Sequence, residues 1–184
     1  MYGDETVPVF GEGALSPRIV LVGEAPGEQE TLQKRPFVGK AGKNLDEFLA
    51  IAGLPREELY ITNVVKFRPV KVNPETGRKS NRPPTREEIL LCLPFLEREI
   101  ALVQPQVVVT LGNVALRAVT GDDRQTIGAC HGQLTTGLGA AVFPLYHPAS
   151  IIYNRSLKDV YVSDVEKLAQ WLKTPEDSFA KLPY

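Results

Sequence analysis

The sequence is poor in several things, and each shortage excludes a class of protein. It has two cysteines, Cys92 and Cys130, among 184 residues. Two thiols cannot alone supply a four-ligand metal site, and a disulfide framework is not indicated. It has two histidines, His131 and His147, so a histidine-rich metal centre is excluded. No run of about eighteen apolar residues occurs, and no charged-then-apolar leader opens the chain. That reading points away from membrane insertion and secretion, with the cytoplasm as the default. Formal net charge is −1, so any surface for a polyanion has to be a local patch.

What remains is ordinary for a globular protein: 43% hydrophobic and 23% charged residues. The length fits one domain with a sizeable core. Four apolar runs read as buried strands: Arg18–Gly23, Leu59–Phe67, Gln106–Gly112 and Ala141–His147. Helical patterns lie between them. Leu45, Phe48, Leu49 and Ala52 share one helical face, closed by Gly53 and Pro55. Thr85-Arg-Glu-Glu88 is a capping box opening a helix to about Val103, which Pro94 is expected to kink or divide. A short helix runs from Asn113 to about Thr120, and a last one from about Val160 to Lys173. The alternation predicts an α/β fold with a parallel sheet covered on both faces. We expect a single domain over residues 1–184, with its core at about 9–173 and a polar, loose tail after Thr174.

In such a sheet, functional groups gather beyond the carboxyl ends of the strands. Here those ends offer Glu24, Asn63 and His147. Each has a plain reading as well: a capping carboxylate, a satisfied buried amide, a structural imidazole. Phe37, in the loop RPFVG, is either a core plug or a stacking surface for a ring. The connection from Arg68 to Arg86 is long and carries Arg68, Lys71, Arg78, Lys79, Arg82 and Arg86 against the single acid Glu75. It suits a polyanion, or is simply solvated. Two phosphate motifs fail. Gly39-Lys-Ala-Gly-Lys43 lacks P-loop spacing, and Gly11-Glu-Gly13 precedes the first strand instead of following it. A nucleoside triphosphatase and a dinucleotide oxidoreductase are set aside.

Four segments in order carry a resemblance: GEAPGEQE (23–30), RPFVGKAG (35–42), YITNVVKFRP (60–69) and YHPAS (146–150). Together they resemble the uracil-DNA glycosylase superfamily, most closely its family 4, from about Val9 to Lys173. The resemblance implies a three-layer α/β/α fold on a central four-stranded parallel sheet. It implies an enzyme that flips uracil out of DNA and hydrolyses its N-glycosidic bond. Carried over by position, Glu24 matches the first-motif acid, Glu30 a further acid near the reacting sugar and His147 the second-motif histidine, which makes these three the expected catalytic residues. Phe37 matches the aromatic that stacks on the base, and Asn63 the amide that reads its edge. Ala25 and Gly27 complete the base pocket. Gly27 stands where some relatives carry a tyrosine that blocks the thymine methyl. Expected DNA contacts are Lys40, Lys66, Arg68, Lys79, Arg82, Ser150 and Arg155. The segment with Ile151, Ile152 and Arg155 resembles the part inserted into the duplex.

Family 4 members typically hold an iron–sulfur cluster on four cysteines. Here Phe67 stands at one cysteine position, Cys92 matches another, and no cysteine precedes the first strand. We therefore expect no cluster and no other cofactor. No histidine lies between Lys66 and Thr85, which argues against covalent trapping of DNA by that loop. His131 reads as structural. The expected partner is uracil-containing DNA, engaged by a monomer. The competing readings are a non-catalytic uracil- or nucleic-acid-binding module and a glycosylase for another deaminated base such as hypoxanthine.

Overall fold

The computed structural model describes residues 7–173. The expected loose tail lies outside the described residues. The elements, in chain order, are β1 (Glu12–Gly13), β2 (Ile19–Gly23), α1 (Glu28–Gln33), α2 (Lys40–Ala52), β3 (Tyr60–Asn63), β4 (Val70–Val72), β5 (Lys79–Asn81) and α3 (Arg86–Val103). They continue with β6 (Val107–Leu111), α4 (Asn113–Thr120), α5 (Ile127–Cys130), β7 (Thr135–Gly137), β8 (Ala140–Leu145), α6 (Ser150–Tyr153) and α7 (Leu157–Trp171).

The main sheet has the order β1-β3-β2-β6-β8-β7. Its four central strands are parallel, with Val20 opposite Tyr60 and Val108, and Val107 opposite Ala141. The expectation of four strands is thus corrected to six. The two additions, β1 and β7, are antiparallel edge strands. They are two and three residues long and contain glycine, too short for an alternation to register in the sequence.

Every residue of β2 and β6 is buried, which is why these strands read as unbroken apolar runs. Alternate side chains serve opposite faces. Ile19, Leu21, Val107 and Val109 pack with Leu45, Phe48 and Leu49 of α2 and with Tyr161, Val165 and Leu168 of α7. Val20, Val22, Val108 and Val142 pack with Cys92, Leu96 and Ile100 of α3 and Ala115 and Val119 of α4. This is the three-layer α/β/α arrangement.

Three further expectations change. The strand ending in Phe67 stops at Asn63. Val64 and Val65 remain buried but turn away from the sheet, their amides donating to the carbonyls of Gly23 and Glu24. Pro94 does not divide α3, which runs continuously from Arg86 to Val103. Pro94 lies on the exposed side, as does Leu90, whose carbonyl it deprives of a donor; water can satisfy that carbonyl. The long basic connection is not a bare loop either. It folds into an antiparallel hairpin, pairing Val70 with Asn81 and Val72 with Lys79. No helix among the described residues is long and apolar enough to cross a membrane.

Candidate active site

The carboxyl ends of β2, β3 and β8 lead into one cavity of about 310 Å³, lined by Ala25, Gly27–Glu30, Phe37, Gly39–Ala41, Asn63, Asn81, His147 and Ala149. Ala25, Gly27, Glu30, Phe37, Lys40, Asn63 and His147, all named from the sequence, meet here. Gly23 explains how they can. A side chain on it would run into the ring of Phe37 and the amide of Asn63. The strand ends in glycine because an aromatic ring and a polar amide close over it.

Phe37 is buried, with φ at +52°. That left-handed backbone costs about 1–3 kcal/mol for a non-glycine residue and has to be enforced by its surroundings. Arg56 donates from Nη1 to the Phe37 carbonyl and from Nη2 to the Pro36 carbonyl, at 3.1 and 2.6 Å. Gly42 of α2 lies directly against the same carbonyl, where no side chain fits. The ring is thereby presented to the cavity, 5.9 Å from the His147 ring at a tilt of 33°.

Glu30 organises the wall. Its Oε1 accepts from the amides of Val38 and Gly39, at 3.0 and 2.7 Å, and its Oε2 from the amide of Gly27 at 3.2 Å. One carboxylate therefore ties the start of α1 to the start of α2, the two helices that flank the cavity. Glycine at the two sites beside it lets this carboxylate sit close. A side chain on Gly27 would meet Glu30 Oε2 at 2.8 Å and Asn81 Nδ2 at 3.3 Å, and one on Gly39 would meet Glu30 Oε1 at 3.0 Å.

Asn63 is buried, its side-chain amide making no hydrogen bond to the described residues. Buried amides are almost always paired, and this one opens onto the cavity. His147 is also largely buried, and burial pulls its pKa down from 6.5 to about 4, with the negative charge of Glu30 opposing. Its Nδ1 faces the amide of Ala149 at 3.2 Å and can only accept there. The neutral ring therefore carries its proton on Nε2.

Glu24 is placed differently from expectation. It is half-buried, and burial raises its pKa, yet it does not line the cavity as Glu30 does. Its neighbours Ala25 and Gly27 do. The expected DNA contacts also divide. Lys40 is exposed at the cavity rim. Lys79 and Arg155 are exposed, and Ser150 opens α6 just beyond His147. Lys66, by contrast, is buried, its ammonium 2.6 Å from Glu99, and is not available to a phosphate. Arg82 is spent on the hairpin: it grips both oxygens of Glu88 at 2.7 Å and donates to the carbonyls of Val70 and Pro83. Arg68 holds Asn81 Oδ1 at 2.7 Å. Of the segment resembling a duplex wedge, Ile151 is core, whereas Ile152 and Tyr153 are 48% and 89% exposed.

Asn81 and Arg56 also shape the cavity, one lining it and the other holding the Phe37 backbone. Asn81 reaches the cavity only because the connection folds as a hairpin; once Arg68 takes its oxygen, its Nδ2 points toward Gly27. Nothing in the local sequence marks either residue. His131 has its Nδ1 2.6 Å from the buried Asp164 and its ring against Tyr146.

Comparison with known proteins agrees with this geometry. The family model for the uracil DNA glycosylase superfamily matches residues 10–173. The chain is 40% identical to the type-4 uracil-DNA glycosylase of Thermotoga maritima, over 92% of this chain and 85% of that protein. It is 38% identical to that of Saccharolobus solfataricus, over 90% and 76%, and 38% identical to that of Archaeoglobus fulgidus, over 92% and 84%. With its sheet, its cavity and its ordered motifs in place, this chain belongs to the uracil-DNA glycosylase superfamily.

Proposed function

We propose that the protein is a monofunctional uracil-DNA glycosylase, releasing uracil from DNA by hydrolysis of the N-glycosidic bond as the first step of base-excision repair. One observation carries this reading: a neutral His147 with its proton on Nε2 lines the same cavity as an unpartnered Asn63 amide and a ring held at strained backbone. That is the equipment for a planar base with a donor beside an acceptor.

A base inside a duplex is unreachable, so it is flipped into the cavity. It stacks on Phe37. Asn63 Oδ1 accepts from N3–H and Nδ2 donates to O4. Cytosine offers the reverse pattern, and a polar mismatch of that kind discriminates by roughly 10⁴-fold. As the bond from C1′ to N1 breaks, its electron pair goes to the base. His147 Nε2–H donates to the developing charge on O2. A donor placed this way in a dry site is worth about 3 kcal/mol of barrier. Positive charge grows on the sugar, and Glu30 is the fixed anion of the cavity wall. With three amides on its two oxygens, one acceptor site remains for a water. Glu24 adds a second carboxylate beside the strand end. Lys40, Lys79, Ser150 and Arg155 face the DNA backbone, and Ile152 with Tyr153 fills the vacated stack. A single DNA face suffices, so the enzyme works as a monomer.

The cysteines do not fit the cluster of family 4. The sequence holds two. Cys92 of α3 is buried in the apolar layer between that helix and the sheet, with Phe67 packed on the same layer. We infer that this enzyme carries no cluster, with apolar packing around Phe67 in its place.

The test is to incubate the protein with a uracil-containing oligonucleotide, single- and double-stranded, then treat with alkali. Strand cleavage at the uracil supports the reading. Binding without cleavage would assign a base-binding module instead, and cleavage only at hypoxanthine would assign another deaminated base.

A further inference from the structure

The Asn63 amide reads the base in the function proposed above, yet the described residues give that amide no hydrogen bond of their own. Its direction has to come from the backbone that carries it. That backbone is at a strand end, where the chain leaves β3 and turns through Val64 and Val65. On one side the turn is tied to β2 by the amides of Val64 and Val65, donating to Gly23 and Glu24 at 2.9 and 3.0 Å. On the other side the tie is a side chain. Lys66 folds back over its own turn and donates to the Asn63 carbonyl at 2.8 Å. The same ammonium donates to Thr62 Oγ1 at 2.8 Å and to Glu99 Oε2 of α3 at 2.6 Å. Three donors thus have three acceptors, two of them on Thr62 and Asn63 themselves. Thr62 Oγ1 in turn donates to Glu99 Oε2 at 2.9 Å. The backbone of Lys66 is pinned as well, its carbonyl accepting from Val9 at 2.6 Å.

A buried ion pair is a poor device for stability alone. Taking both charges out of water offsets most of their attraction, and well-packed apolar residues usually serve as well. What the pair does supply is direction: a charged donor fixed on one carbonyl, and an anchor on a neighbouring helix. We propose that Lys66 is a positioning residue for Asn63, holding the end of β3 to α3 through Glu99 so that the Asn63 amide meets the base edge at a fixed angle.

The experiment is a double-mutant cycle on uracil release, with unfolding midpoints measured alongside. Lys66→Met with Glu99→Leu removes both charges and leaves no buried ion alone. In the wild-type background this pair of changes should lower kcat/KM by about 100-fold, the usual consequence of misplacing a substrate-binding group by about 1 Å. The preference for uracil over cytosine should fall with it. On an Asn63→Ala background the same pair should change the residual rate little, because the group it positions is gone. Equal losses on both backgrounds, or no loss on either, overturn the proposal. Should the apolar pair fail to fold, Lys66→Arg with Glu99 retained serves in the same cycle. An independent readout is the side-chain amide signal of Asn63 in nitrogen–proton spectra, assigned by its disappearance in Asn63→Ala. It should move in either Lys66 variant, and an unmoved signal overturns the proposal. That measurement does not need turnover. If the wild type releases no uracil, the functional reading fails, while the amide signal still decides the role of Lys66.

Discussion

His147 gives the sharpest prediction, because its tautomer and its charge follow from two independent features. Burial favours the neutral ring, and the Ala149 amide requires a lone pair on Nδ1. The folded pKa lies at about 4 against an ordinary 6.5. Between those values an unfolded chain binds a proton at this ring and the folded chain does not. Stability therefore falls as pH drops from 6.5 toward 4, and the loss is complete below 4. Each pH unit of displacement is worth about 1.4 kcal/mol, so the full penalty is about 3 kcal/mol. Urea unfolding of wild type and His147→Gln at pH 7.5, 5.5 and 4.5 isolates it, since every other group titrates equally in both. The variant should lose less stability on acidification. In parallel, the His147 ring signals should titrate near 4, and kcat/KM should show no inflection at 6.5 attributable to this residue. A ring that titrates at 6.5, or identical acid sensitivity in the variant, would falsify the neutral-donor assignment.

Other outcomes follow from the same cavity. Glu30→Gln replaces a carboxylate that accepts from three amides with a group having one acceptor oxygen. It should lower stability by about 2 kcal/mol, one charge-assisted bond or more, visible in the thermal midpoint, and slow excision as well. Gly23→Ala forces a methyl group into Phe37 and Asn63, so uracil release should fall by far more than the folding free energy accounts for, judged by rate and denaturation together. Asn63→Asp removes the donor to O4 and should lower the rate on uracil by at least tenfold, read in single-turnover assays. The purified protein should contain no stoichiometric iron by elemental analysis, and chelation should leave its melting temperature unchanged. Four thiolates' worth of iron would overturn that part of the reading.

Much of this was legible in the chain itself, for definite reasons. Val107–Leu111 is buried on both faces, so its strand character shows as an unbroken apolar run. Glycines at 23, 27 and 39 mark close approach, although the sequence does not say to what. The capping box at Thr85 is local chemistry, and the structure contains it, Glu88 returning a bond to the Thr85 amide at 2.7 Å. The edge strands β1 and β7 leave no mark in the sequence because pairing, not patterning, defines strands of two or three residues.

Side-chain direction is what the sequence withheld. Lys66 and Arg82 read as basic residues near a nucleic-acid site, but burial beside Glu99 and a grip on Glu88 give them internal work. Charge is written in the sequence; the partner that neutralises it is brought by a helix folded against the site. Asn81 became a cavity residue only through the hairpin register that sets it against Arg68 and Gly27. Glu24 and Glu30 stand six positions apart in one acidic stretch, and only the tertiary structure separates them. The later acid reaches back to Gly27 and across to Val38 and Gly39 to build the wall, while the earlier sits beside it. The sequence determined which chemical groups gather at the ends of the strands, since periodicity and strand order are local properties. Which of those groups face the cavity was decided by packing between elements distant along the chain.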